Sequence, residues 1–186
     1  MQCQLRGLEP GPINIFPGWQ ALGRTVKRGE RALIRVSVWS PGAGWLDGDR
    51  VMAVYIGDNK NSAAAKTALQ ISFIVKEVNS AIKKEYPNTA YQIRQAIGID
   101  TAKLLVAKTG IRNSNDLVWV GRAANYAAKL CGLVDNTASV FITETVFNKL
   151  SDETKHGGSP RRLMWEKSHW QEHAMTIYKS SWSWKF

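Results

Sequence analysis

Apolar and polar positions fall into a regular pattern after Gly44 and keep it to the end of the chain. Arg50-Val-Met-Ala-Val-Tyr-Ile56 is an apolar run of strand formers, and Asp47-Gly48-Asp49 before it is a turn signal. A long helix is expected from Asn61 or Ser62, either of which can cap it, to about Tyr86. Ile71, Ile74 or Val75, Val78 and Ile82 recur three and four apart and predict its core face; Pro87 ends it. Tyr91–Ile99 and Lys103–Lys108 read as strands on either side of a short turn. Leu117–Val120 is a further short strand that leads into a helix of small residues, Arg122–Cys131. Ser139–Ile142 is a strand, and Thr143 caps a helix that buries Val146, Phe147 and Leu150. A polar loop then leads to His173–Lys179 as a closing strand and to the aromatic finish Trp182-Ser-Trp184-Lys-Phe186. Strands and helices mix without strict βαβ alternation, which predicts an α+β fold with an antiparallel or mixed sheet and helices packed on it.

Residues 1–41 break this pattern. Pro10, Pro12, Pro17 and Pro41 stand there with several glycines, so long regular elements are not expected, apart from a helical turn near Gly18–Gly23 and a strand at Ala32–Trp39. The segment carries six basic and two acidic residues, and the whole chain has 25 Lys and Arg against 15 Asp and Glu, a net charge of +10. Such an excess favours polyanionic partners, either nucleic acid or triphosphates. The remaining composition is that of a globular domain, 44% hydrophobic and 22% charged. Cys3 and Cys131 lie far apart in no motif, which sets aside a disulfide framework or a cysteine zinc site. No apolar run approaches the roughly 20 residues that span a bilayer. The first residues carry no apolar segment of the signal-peptide kind, so a cytoplasmic protein without membrane contact is expected.

Three segments carry a resemblance. Asp47-Gly48-Asp49-Arg50-Val51-Met52-Ala53-Val54-Tyr55-Ile56 resembles a hairpin in which a Gly-Asp turn precedes a Met-Ala-Val-Phe-like strand and a long Ala-rich helix. Ala96-Ile97-Gly98-Ile99-Asp100-Thr101 resembles a Gly-Ile-His-Thr-Gly strand and turn, with Asp100 in place of histidine and Ala102 in place of glycine. Asn115 to Leu130, reading NDLVWVGRAANYAAKL, resembles an Asn-Asp-Leu strand that runs through glycine into a Val-Asn-x-Ala-x-Arg-Leu helix. All three are features of class III nucleotide cyclases, and within them the wording is nearest to the bacterial pyrimidine (uridylate or cytidylate) cyclases of phage defence. The resemblance covers about residues 45–186. It implies a ferredoxin-like (βαββαβ) cyclase sheet, incomplete because the N-terminal third is missing or replaced. Separately, PGWQALGRTVKRGERALIRVSVWSP within residues 1–41 resembles part of an ArdC-type single-stranded-DNA-binding domain, which implies weak nucleic-acid binding through Lys27, Arg28 and Arg31.

The cyclase resemblance implies a reaction and a set of residues. The 3′-hydroxyl of a nucleoside triphosphate attacks the α-phosphorus in line and expels pyrophosphate, usually around two Mg²⁺ or Mn²⁺ ions held by two aspartates. Asp49 is implied as the second of these. Asn125 is implied to orient the ribose. Lys129, four residues on and on the same helix face, stands where the family usually has an arginine that stabilises the pentavalent phosphate. Arg50 and Arg122 are implied substrate contacts. Trp45 and Val118 occupy the two positions that recognise purines in relatives, and neither can make those contacts, which implies UTP or CTP as substrate. Asn125 and Lys129 complete the partner subunit's site in the family, so a homodimer with shared sites is implied. The expected first metal aspartate has no counterpart, since residues 1–41 contain no aspartate and Ser37 or Ser40 is a poor ligand for a hard cation. His169 and His173, four apart, read as surface histidines, and the tryptophans at 165, 170, 182 and 184 as cover for the sheet or a dimer interface.

Overall fold

Two strands organise the sheet: β1 (Glu30–Ser40) and β4 (Arg94–Lys103) run antiparallel from Glu30↔Lys103 to Trp39↔Arg94. The computed structural model describes residues 30–40, 44–45, 51–111, 114–133 and 135–186, with side chains for 51–107, 118–133 and 135–186. On the outer side of β1 lie β2 (Gly44–Trp45) and β3 (Val51–Tyr55), both antiparallel to it. On the other side of β4 comes β7 (Val140–Thr143), parallel to it, then β11 (Met175–Ser180) and β10 (Glu166–Trp170), each antiparallel to its neighbour. The mixed sheet predicted from the sequence is thus present, and the strand expected at Ala32–Trp39 lies in its middle, between β3 and β4.

Alternation along β4 assigns its two faces. Ile97 and Ile99 are fully buried with Val140 and Ile142 under helix α1 (Lys60–Glu85), in one cluster with Ala64, Ala65, Ala68 and Leu69. Ala96, Gly98 and Asp100 face the opposite way, toward helix α2 (Arg122–Leu130). The core face of α1 differs from the predicted one. Its buried residues are Asn61, Ala64, Ala65, Ala68, Leu69 and Ser72, whereas Ile74 and Val78 are 43% and 39% exposed. Alanines carry little hydrophobic signal but let the helix approach the sheet closely, so they hold the contact that the larger residues mark in the sequence. The helix is capped by Asn59 rather than by Asn61 or Ser62, without a side-chain bond, and Ser62 Oγ instead accepts from the Ser151 backbone N–H at 2.8 Å.

Two further boundaries move. The stretch read as a turn between Ile99 and Lys103 is continuous strand, because Asp100 and Thr101 pair with Leu33 and Ala32 of β1. The segment around His169, read as loop, is β10. Thr143 caps the short helix α3 (Glu144–Asn148) as expected, its hydroxyl accepting from the Val146 N–H at 3.4 Å, with Val146 and Leu150 buried. The aromatic tail closes the α1 side: Trp165 is buried and donates to the Thr154 carbonyl, Trp182 and Trp184 pack on the core, and Phe147 stacks on Tyr178 at 3.7 Å. Strands β5 (Leu105–Ile111) and β6 (Ser114–Val120) pair with each other as a two-stranded sheet, and Val106–Val118 belongs to a second compact unit. Strands β8 (His156–Gly157) and β9 (Arg162–Leu163) form a further antiparallel pair.

Candidate active site on helix α2

Helix α2 is seated on β4 by a missing side chain. A Cβ on Gly98 would stand 2.3 Å from the Ala127 carbonyl oxygen and 2.7 Å from the Cys131 nitrogen, so only glycine admits the helix backbone at this depth. The helix opens at Gly121, whose φ of 149° favours glycine. Ala123, Ala127 and Leu130 then face the sheet and are fully or almost fully buried. The opposite side of the helix carries Arg122, Asn125 and Lys129, all exposed, at spacings of three and four. One amphipathic helix therefore presents, in a single stripe, three of the residues singled out from the sequence.

Each member of the stripe has different surroundings. Arg122 Nη2 donates to the Thr101 carbonyl at 3.1 Å, its Nε lies 3.4 Å from Asp100 Oδ2, and its guanidinium is 5.7 Å from the Tyr126 ring. Asp100 is completely buried: Oδ1 accepts from the Thr143 hydroxyl at 2.6 Å, and Oδ2 takes no hydrogen bond. Burial pushes this carboxyl above its ordinary value, opposed by the bonds from Thr143 and the Thr101 N–H and by the charges of Arg122 and Lys149. Lys129 Nζ lies 3.1 Å from His173 Nε2 and 3.7 Å from Glu172 Oε1, on a short turn after β10. His173 packs against Tyr126 and Trp170, ring centroids 5.4 and 4.2 Å away, so it is a packed member of this surface rather than an isolated surface histidine. Asn125 carries no side-chain hydrogen bond among the described residues and projects into solvent.

The other expected site residues are distributed differently. Val118 is 41% exposed on β6, within the second compact unit. The backbone of Trp45 is in β2, paired with Trp39, but its side chain lies outside the described set. Asp49 and Arg50 lie outside the described residues, as do Lys27 and Arg28 and the side chain of Arg31. Among the described residues there is no group of three metal-ligating side chains, β1 has no aspartate, and Asp100 is engaged by Thr143 and Arg122; Asp49, the expected ligand, lies outside them. Asp100, Thr143 and His173 join the α2 surface without having been chosen for it from the sequence. The available signal for Asp100 was a lone carboxylate in the apolar run Ala96–Ile99 and beyond, and strand burial makes such a residue either paired or functional.

A mixed sheet with β1 and β4 at its centre and a helix bearing Asn125 and Lys129 laid across Gly98 is the fold of class III cyclase catalytic domains. The guanylyl cyclase Cya2 superimposes with a TM-score of 0.60 at 12% identity, over 86% of this chain and 96% of that one. The dimeric guanylyl cyclase domain of the RhoGC fusion protein from the aquatic fungus Blastocladiella emersonii gives 0.58 at 12%, over 83% and 98%. In sequence the chain is similar to bacterial uridylate cyclases: it is 47% identical over 141 residues to the uridylate cyclase of Xanthomonas perforans. That alignment takes in 75% of this chain and 59% of the relative, so the chain spans less than two-thirds of the relative's length. No protein-family model matches.

Proposed function

We propose that the chain is the catalytic portion of a cytoplasmic nucleotide cyclase that converts UTP or CTP to its 3′,5′-cyclic monophosphate and pyrophosphate. The observation that carries this reading is the exposed stripe Arg122, Asn125 and Lys129 on a helix fixed rigidly over Gly98. In the step envisaged, the 3′-oxygen forms the new bond to the α-phosphorus as the bond to the pyrophosphate oxygen breaks, and the hydroxyl proton leaves to solvent or base. Asn125, whose side chain makes no hydrogen bond among the described residues, hydrogen-bonds the ribose and holds the 3′-oxygen in line. Lys129 places a point charge against the phosphate oxygens as negative charge gathers there. To do so its ammonium turns from Glu172 and His173, a small rearrangement for an exposed lysine. Asn125 and Lys129 point away from their own sheet, which suits a site completed on a second subunit of a homodimer. Trp45 and Val118 fit the pyrimidine preference, as does the name uridylate cyclase of the relatives, and we extend the reading to antiphage signalling on the resemblance of the three sequence segments.

Mg²⁺ or Mn²⁺, where bound, would neutralise the triphosphate and activate the attacking oxygen, and Asp49 is the residue we expect to ligate it. The missing aspartate on β1 favours a second reading, a nucleotide-binding homologue without turnover. Incubating the purified chain with ATP, GTP, CTP and UTP in Mn²⁺ buffer, with mass-spectrometric detection of cyclic nucleotides, separates the two. Cyclic UMP or CMP is expected from the unaltered chain, with Asn125→Ala and Lys129→Ala each lowering turnover by about 10²-fold or more. Triphosphate binding without any cyclic product would establish the second reading.

A further inference from the structure

At the end of the sheet where β4 and β7 begin, the later turns of helix α1 and residues 135–139 enclose a cavity of about 250 Å³. It shares no residue with the α2 stripe. Its walls are fixed by the protein's own hydrogen bonds. The Asn79 amide clamps the entry to β4 in both directions, Nδ2 donating to the Ile93 carbonyl and Oδ1 accepting from the Ile93 N–H, each at 2.8 Å. Another wall is held by the Asp135 carboxylate, whose Oδ1 takes the Thr137 and Ala138 N–H groups and whose Oδ2 takes Lys179 Nζ. The floor is polar and recessed. Gln95 Nε2 donates to Ser72 Oγ at 3.4 Å, the Ser72 and Ser139 hydroxyls lie 3.2 Å apart, and Ser72 is only 2% exposed. These are long bonds between groups with further donor and acceptor capacity.

Charge decides what such a cavity takes. Lys76 and Arg94 both line it. Lys76 Nζ donates to neutral oxygens, the Ser181 carbonyl at 3.4 Å and Ser183 Oγ at 3.2 Å, and it has no carboxylate partner among the described residues. Arg94 Nη2 donates to Asn136 Oδ1 at 3.2 Å, which holds its guanidinium on the cavity wall. The acidic residue of the lining, Asp135, is matched by Lys179 at 3.0 Å. Beyond the mouth, the lining continues through Lys76, Asn79 and Gln92 into an open groove that carries Lys83 and Lys84. Two cations set around a preformed polar cavity favour a compact ligand that brings two negative charges and hydroxyl groups.

We propose that this cavity is a second ligand site, which binds a small phosphate monoester of sugar-phosphate size. The phosphate dianion lies against Lys76 and Arg94, and the ligand hydroxyls exchange hydrogen bonds with Gln95, Ser72 and Ser139. Volume sets the size class. Drug-sized ligands fill about 300–1,000 Å³, so a nucleoside triphosphate is too large for this cavity, and inorganic phosphate leaves most of it to water. The recessed floor sets the form of the ligand: a terminal phosphate enters from one side, whereas a polymer backbone needs a groove open at both ends. Because the site has no residue in common with the α2 stripe, it stands or falls independently of the cyclase reading.

Isothermal titration calorimetry of the full chain with ribose 5-phosphate, ribose and inorganic phosphate tests the assignment. Ribose 5-phosphate is expected to bind, ribose not to bind, and inorganic phosphate to bind about tenfold more weakly for want of the hydroxyl contacts. Lys76→Gln and Arg94→Gln are each expected to weaken ribose 5-phosphate about tenfold, the loss of one charged hydrogen bond. The side-chain amide NMR signals of Gln95 and Asn136 should shift during the titration, and Lys129→Ala should bind as the unaltered chain does. Lys76 is exposed on its helix, so the charge reversal Lys76→Glu, expected to abolish binding, tests the site even where Arg94→Gln does not fold. Binding that survives Lys76→Glu would overturn the proposal, as would no binding of ribose 5-phosphate up to ~10 mM. Equal affinity for ribose 5-phosphate and either ribose or inorganic phosphate would refute the sugar-phosphate class. Loss of binding in Lys129→Ala would move the phosphate to the α2 stripe. A single-stranded oligodeoxynucleotide without terminal phosphates that binds more tightly than ribose 5-phosphate would make this face a polyanion groove and sink the small-ligand reading.

Discussion

Asp135 shows how one carboxylate ties a loop to the sheet. It accepts from the Thr137 N–H and hydroxyl, both at 2.6 Å, from the Ala138 N–H at 3.1 Å, and from Lys179 Nζ of β11 at 3.0 Å. Partial burial alone would raise its pKa, but the bonds from Thr137 and Lys179 outweigh this and hold the carboxyl below the ordinary value of 3.8. The same contact raises the pKa of Lys179. A depressed carboxyl contributes stability that is present above its unfolded pKa and is lost as the pH falls through the folded one. Asp135→Asn is therefore expected to cost about 1–2 kcal/mol at neutral pH, and the deficit should narrow below about pH 4. Urea denaturation of both proteins at neutral and acid pH checks this, and a deficit independent of pH would refute the charge argument. Asp100 presents the opposite case, a carboxyl raised by burial. The sequence marked it only as an aspartate where relatives carry histidine, because nothing local shows that β1 and β7 will enclose it or that Thr143 and Arg122 will meet it.

At the scale of elements, α2 and β4 behave as one part, and Gly98 is the joint. Gly98→Ala would drive a methyl group into the Ala127 carbonyl and the Leu130 Cβ, backbone and near-backbone atoms that a rotamer change cannot clear. We expect the variant to lose about 1–3 kcal/mol of stability, with a lower urea midpoint. Nucleotide turnover should fall further than stability does, since the helix that lifts off the sheet carries Asn125 and Lys129. Full activity in a destabilised Gly98→Ala protein would separate the α2 stripe from catalysis. The small-residue helix itself was legible from its spacing and composition, as was the Thr143 cap, because both are local signals. The inner face of α1 was not. Its contact with the sheet runs through Ala64, Ala65, Ala68 and Leu69, while the apolar positions that fix the predicted face include the exposed Ile74 and Val78. Periodicity reports where large apolar residues are, whereas close approach of helix to sheet selects small ones.

For the whole molecule, the informative placement is that of β1, which hydrogen-bonds to β3 on one side and β4 on the other. Composition set residues 1–41 apart, yet long-range pairing puts Glu30–Ser40 in the middle of the sheet, a relation that local sequence does not encode. The α+β class and the α2 residues could be anticipated; which strands enclose them could not. If the active site is shared between two copies, as the outward stripe suggests, subunits with complementary defects should repair one another. Asp49→Ala removes the proposed metal ligand and Asn125→Ala removes the ribose contact. Were the site shared, a mixed dimer would have one site with both defects and one with neither. Random exchange of equal amounts makes about half the dimers mixed, each with one intact site of two, so about a quarter of the unaltered activity should return. Each variant alone should be nearly inactive, and sedimentation of the mixture should show dimers. If both residues instead served a site within a single chain, mixing would restore nothing, since every chain would carry one defect.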